Sequence, residues 1–211
     1  SITMKTENSN VTNWSLQNAD IVSFQNGDAI PEAKTNEQWF EASENKKPAW
    51  CSASVASDDN KLHGNLYNWY AITDKRGFAP KGWTLPSQED LESLLSNQND
   101  NKSELELPKV GLRSYVNGKR YSMDTAGYYW SRTSVASEFA KAFMFNEGDA
   151  VISHTHKGNG YSVRFIKDLP AKKEIPVEVE TTKNESGQRS AMKGWVIFFI
   201  IIFIILVLIN L

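Results

Sequence analysis

Apolar positions come in short clusters separated by polar stretches up to residue 193, and then run almost unbroken to the end. The first 19 residues are rich in Asn, Ser and Thr, the pattern of a mobile arm. Residues 21–24 are apolar enough for a short strand. Thr35-Asn36-Glu37-Gln38 is a capping-box pattern, predicting a helix over 36–42. Residues 52–61 are small and polar, a loop. The aromatic-rich stretch 66–72 suits a buried strand or a tightly packed segment. Ser87 with Asp90 three residues on, followed by Leu91, Leu94 and Leu95 at helical spacing, predicts a second helix over 88–97.

After a polar loop at 97–104 the period changes to two. Residues 112–116 and 119–123 flank Asn117-Gly118, a strong hairpin signal. Further strands are predicted at 127–131, 139–145, 150–154 and 161–167, with a turn at 146–149. In the last, Val163 and Phe165 share one face and Arg164 takes the other, where its guanidinium fork can hold loop carbonyls or a carboxylate. Two helices followed by successive hairpins predict an α+β domain with antiparallel sheet over 20–168.

The apolar run has a different meaning. No polar side chain occurs from Trp195 to Ile209. As a helix, residues 194–211 reach about 27 Å, close to the roughly 30 Å of a hydrocarbon core. Lys193 can snorkel at the interface and Trp195 suits the aromatic belt. A single C-terminal transmembrane helix is therefore expected, with the lipid bilayer as a partner and residues 169–193, which contain Pro170 and Pro176, as linker. Lys183, Arg189 and Lys193 precede the span and no charge follows it, which by the positive-inside rule places the head in the cytoplasm.

Composition narrows the chemistry. A net charge of -2 over 211 residues argues against a nucleic-acid binder held by phosphate contacts. The single cysteine, Cys51, excludes an internal disulfide and a Cys-rich zinc module, and reads as a buried apolar thiol. His154 and His156 would face one side of a strand, and with His63 they are the candidate metal ligands; the alternative is a pair of exposed hairpin histidines beside Lys157. Tyr115, Tyr121, Tyr128 and Tyr129 are the candidate stacking surface for a glycan or small ligand. Nothing in the spacing sets a carboxylate pair across a cleft, and no cofactor is implied.

Several segments together carry a resemblance. Leu66-Tyr67-Asn68-Trp69-Tyr70-Ala71 is followed by Gly77 and by Ala79-Pro80-Lys81-Gly82-Trp83-Thr84-Leu85-Pro86-Ser87. Gly111-Leu112-Arg113-Ser114, Gly118, Tyr129-Trp130-Ser131 and Gly160-Tyr161-Ser162-Val163-Arg164 come next. Upstream, Gly27, Ile30-Pro31, Trp39 and Pro48-Ala49-Trp50-Cys51 fit as well. Over residues 21–168 the chain resembles the Fibrobacter succinogenes major paralogous domain family. The resemblance implies a C-type lectin-like fold of the formylglycine-generating-enzyme type. It also implies an exported protein of the Bacteroidota cell envelope, so family habit places the head outside the cytoplasm and tips the expectation that way, against the charge. Formylglycine-generating enzymes need a copper-binding cysteine pair, which Cys51 alone cannot supply. The expectation is a membrane-anchored, non-catalytic interaction module, an accessory subunit of a bacterial envelope or membrane complex. The alternatives are a glycan- or small-ligand-binding receptor and an enzyme.

Overall fold

The computed structural model describes residues 13–53, 63–99 and 105–168. All of them lie in one compact unit, residues 1–170. The expected linker over 169–193 and transmembrane helix over 194–211, with Lys193 and Trp195, lie outside the described residues. Among the described residues no helix is long and apolar enough to cross a membrane.

The unit mixes three helices with small antiparallel sheets. In chain order the elements are α1 (Asn36–Glu44), β1 (Trp50–Ser52), β2 (Asn65–Tyr67), α2 (Trp69–Ile72), β3 (Trp83–Thr84), α3 (Gln88–Asn99), β4 (Leu112–Arg113), β5 (Arg120–Tyr121), β6 (Gly127–Ser134), β7 (Phe139–Phe145), β8 (Ala150–His156) and β9 (Ile166–Lys167). The sheets pair β1 with β2, β3 with β9, β4 with β5, and β6-β7-β8 in that order.

Both longer helices start where local chemistry tells them to. Thr35 Oγ1 accepts from the Gln38 N–H while Gln38 Oε1 accepts from the Thr35 N–H, so two orphan donors of α1 are satisfied reciprocally. Ser87 and Asp90 do the same for α3: the Asp90 carboxylate accepts from the Ser87 N–H at 2.7 Å, and Ser87 Oγ accepts from the Asp90 N–H at 3.2 Å. α2 is the helical turn at the end of the 66–72 segment. Fully buried Asn68 caps it, accepting from the Ala71 and Ala49 N–H groups and donating to the Lys47 carbonyl.

The β6-β7-β8 sheet is covered on both faces. With a side-chain period of two, Trp130, Ala140 and Ala142 enter one cluster with Tyr67, Phe78, Tyr161, Val163 and Phe165. Tyr129 and Phe143 enter the other, against Leu91 and Leu94 of α3 and against Trp14. The Trp14 contact corrects the described part of the arm expected over 1–19: residues 14–19 pack against the unit. Trp14 bridges to Ile166, the Ser15 N–H donates to the Phe165 carbonyl, and the Ala19 N–H donates to the Val163 carbonyl. A composition of Asn, Ser and Thr does not reveal that one indole pins such a stretch to the core.

Three expected strands are also reshaped. The Asn117-Gly118 hairpin opens into a wider loop, because only Arg113↔Arg120 and Leu112↔Tyr121 pair. The 161–167 strand remains extended but changes partner along its length: Tyr161 meets Tyr67, Ser162 meets Tyr129, and β9 pairs with β3.

Candidate functional site

The register of β7 and β8 sets Phe139 opposite His156 and Lys141 opposite His154. These four share a sheet face with Phe143 and Ile152, but they lie beyond the part that α3 covers. Phe139 remains 40% exposed. Its ring meets His156 edge-on at 5.8 Å and 87°, and His154 edge-on at 6.1 Å and 82°. On its other side His156 stacks on Tyr115, with centroids 3.8 Å apart and planes at 17°. The result is a continuous ladder of rings: Tyr115, His156, Phe139, His154.

The turn after β8 holds this ladder in place. The Gly158 N–H donates to His156 Nδ1 at 3.1 Å, so the neutral ring carries its proton on Nε2. Asn159 Oδ1 accepts from the Tyr115 N–H at 3.0 Å. A Cβ at position 158 would stand 2.8 Å from the Ser43 Cβ and 2.9 Å from the Tyr115 Cβ, so only glycine lets the turn approach α1 and the Tyr115 loop this closely. Lys157 anchors the neighbouring loop. Its buried ammonium donates to Ser134 Oγ and to the carbonyls of Ala136 and Ser137, and sits 4.2 Å over the Trp69 ring.

Charge around the ladder is mixed. Lys46 pairs with Glu138 at 3.1 Å. Burial pushes the His156 pKa down; Glu138 and Glu44 act against this and Lys46 acts with it. Burial pushes the Tyr70 hydroxyl up, with Lys46, Glu138 and Glu44 as its charged neighbours too. The Tyr70 oxygen is buried and has no hydrogen-bond partner among the described residues.

A pH dependence follows. With a folded pKa below the unfolded one, His156 binds a proton more readily in the unfolded chain. Its effect is absent above the ordinary histidine range, and stability is lost as pH falls through that range toward the folded pKa. Between about pH 7.5 and pH 5.5 the melting temperature of His156→Gln should therefore fall less than that of the parent. Equal acid losses in the two proteins, measured by circular dichroism, would remove His156 from the acid response.

Of the expected ligand residues, the structure brings Tyr115, His154 and His156 together and separates the rest. Tyr129 is corrected outright: it is 3% exposed, its hydroxyl donates to the Pro108 carbonyl at 2.8 Å, and strand alternation puts it beneath α3. Tyr128 faces the opposite way, tilted on Tyr161 at 5.1 Å. Tyr121 is exposed on β5, where its hydroxyl accepts from Asn117. The three-histidine metal arrangement does not form. His63 sits beside Asn18, which donates to its carbonyl, and no three His, Cys, Asp or Glu side chains converge among the described residues. Cys51 is buried, and desolvation raises its thiol pKa despite Arg120 and Arg113 nearby, which makes it a poor nucleophile. Sequence reasoning missed Phe139. Counting register outward from the 146–149 turn would have placed it against His156.

The Fibrobacter succinogenes major domain model matches residues 9–118, just over half of the chain. A second model, the domain of unknown function DUF8237, matches residues 92–166. No curated protein and no solved structure matches the chain.

Proposed function

The chain belongs to the Fibrobacter succinogenes major domain family, and from that premise we propose that it is a non-catalytic interaction module whose C-type lectin-like head binds a protein partner. In this reading residues 194–211 tether the head to a membrane of the bacterial envelope, where it serves as an accessory subunit of a larger complex. The observation that carries the proposal is the ring ladder beside an open sheet edge. β8 is the outer strand of its sheet, and among the described residues no strand adds to its free side. Aromatic side chains next to unpaired backbone donors and acceptors suit a partner segment laid along β8, with main-chain bonds giving affinity and the rings giving specificity. The role of the strong cations supports the same reading. Arg113, Arg164 and Lys157 spend their donors chiefly on main-chain carbonyls, which is the work of architecture.

The full chain, purified from native membranes in mild detergent after cross-linking, tests this. The parent should recover a defined partner, and Phe139→Ser/His154→Ala should lose it by about tenfold, a change of about 1.4 kcal/mol, with an unchanged melting temperature. Removing residues 194–211 should release the head from the membrane fraction. Equal recovery by the double variant would overturn the proposal. A glycan array that binds the parent and not the double variant would transfer the same face to the glycan-receptor reading, in which Tyr115 and Phe139 stack on sugar rings.

A further inference from the structure

On another part of the unit a cleft of about 420 Å³ opens between the start of α1, β1 and the β4-β5 pair. Its charge is one-sided. Lys34, Arg113, Lys119 and Arg120 line it, against the single carboxylate of Glu32. Glu32 pairs with Lys34 at 3.7 Å. Among the described residues no carboxylate forms an ion pair with the other three cations. Glu37 of α1 feels the Arg113 charge without pairing to it.

Arg113 is only 4% exposed. It donates to the carbonyls of Gly118, Ala33 and Thr35 at 2.6–2.8 Å. Arg120 donates to the carbonyls of Ala53 and Ser52. These bonds satisfy hydrogens, and the Trp39 ring lies 5.0 Å from the Arg113 guanidinium, but among the described residues no carboxylate neutralises either charge. The structural role of the two arginines and the Lys34–Glu32 pair do not account for Lys119. Lys119, exposed, also lines the cleft, and among the described residues its ammonium makes no hydrogen bond or ion pair. Asn36, the first residue of α1, also lines the cleft, so the helix N-terminus stands at its edge.

We propose that this cleft binds an oxyanion, a carboxylate, sulfate or phosphate group carried on a ligand of about monosaccharide size. The volume falls within the range of small-molecule sites. Lys119 and Lys34 meet the anion, while Arg113 and Arg120, held by the backbone, supply a fixed field behind them. The site is separate from the ring ladder and does not depend on the protein-partner reading.

The test titrates the full chain in detergent with inorganic sulfate, inorganic phosphate and glucuronate, at low and at physiological ionic strength, using calorimetry. Saturable binding that weakens with salt is expected. Lys119→Gln should raise the dissociation constant about tenfold and Lys34→Gln/Lys119→Gln should abolish binding, with melting temperatures unchanged because both ammonium groups lie outside the core. Phe139→Ser should bind as the parent does. Preference for glucuronate over the inorganic ions would identify an acidic saccharide as the source, and the reverse order a free anion. Binding by none of the three, or binding that persists in the double lysine variant, would overturn the proposal.

Discussion

Trp130→Ala is expected to cost about 3–5 kcal/mol of unfolding free energy, read as a lower denaturation midpoint at unchanged slope. Trp130 is fully buried on β6, an outer strand of the three-stranded sheet, where it faces the main apolar cluster. It stacks on Tyr161 at 4.5 Å and 29°, and its Nε1 donates to the Tyr67 carbonyl at 2.8 Å. Truncation leaves a cavity between β6 and the segment that runs into β9, and the two-sided packing of the sheet prevents collapse into it. Trp130→Phe separates the contributions. It restores most of the volume, and the Tyr67 carbonyl keeps its bond from the Tyr161 N–H. The expected cost is therefore nearer 1–2 kcal/mol. A loss below about 1 kcal/mol for the alanine variant would contradict a sheet packed on both faces.

The parts of this fold that were legible in sequence are those whose cause lies within four residues. Thr35 with Gln38, and Ser87 with Asp90, announce their helices because the capping partners are neighbours in the chain. The hairpin between β7 and β8 reads off its own alternation and turn. What failed has its cause far away. Gly118 belongs to a good two-residue turn signal, yet Arg113 takes its carbonyl, and its Cα sits so close to the Asn36 carbonyl of α1 that a Cβ would stand 2.0 Å from that oxygen. Contacts from outside the hairpin shape its loop. Tyr129 and Trp130 are adjacent and both buried, because helix α3 covers the face that alternation would otherwise expose. The same limit applies to the site. Sequence supplied Tyr115, His154 and His156 as separate suspicions. Only the turn at 158–159 brings Tyr115, 41 residues upstream, onto the His156 ring.

Arg164 is where local and distant causes meet, and Arg164→Met is the second large effect. Alternation alone set its side chain against Val163 and Phe165, with loop carbonyls or a carboxylate as its targets. In the structure the fork holds three acceptors at 2.7 Å each: Asn18 Oδ1, the Ser15 carbonyl and the Glu106 carbonyl. Burial pushes its pKa down, yet a guanidinium stays charged near neutral pH. Methionine keeps the apolar stem and removes every donor. The three oxygens lose their partner together, at about 1–3 kcal/mol apiece if water stays out and less where it enters, so about 3–5 kcal/mol is expected overall. The loss should be directional. The Ser15 and Asn18 contacts help hold the chain from Trp14 onward against the 163–166 segment, so the amides of Ser15 and Ala19, bonded to Phe165 and Val163, should exchange hydrogen fastest relative to the parent. Arg164→Lys should fall between the two, because one ammonium cannot span three acceptors spread around a planar fork. If those amides stay protected in Arg164→Met while global stability drops, Trp14 alone anchors the N-terminal stretch and the fork serves only the Glu106 side. Uniform loss of protection across the unit would instead make Arg164 a member of the common core.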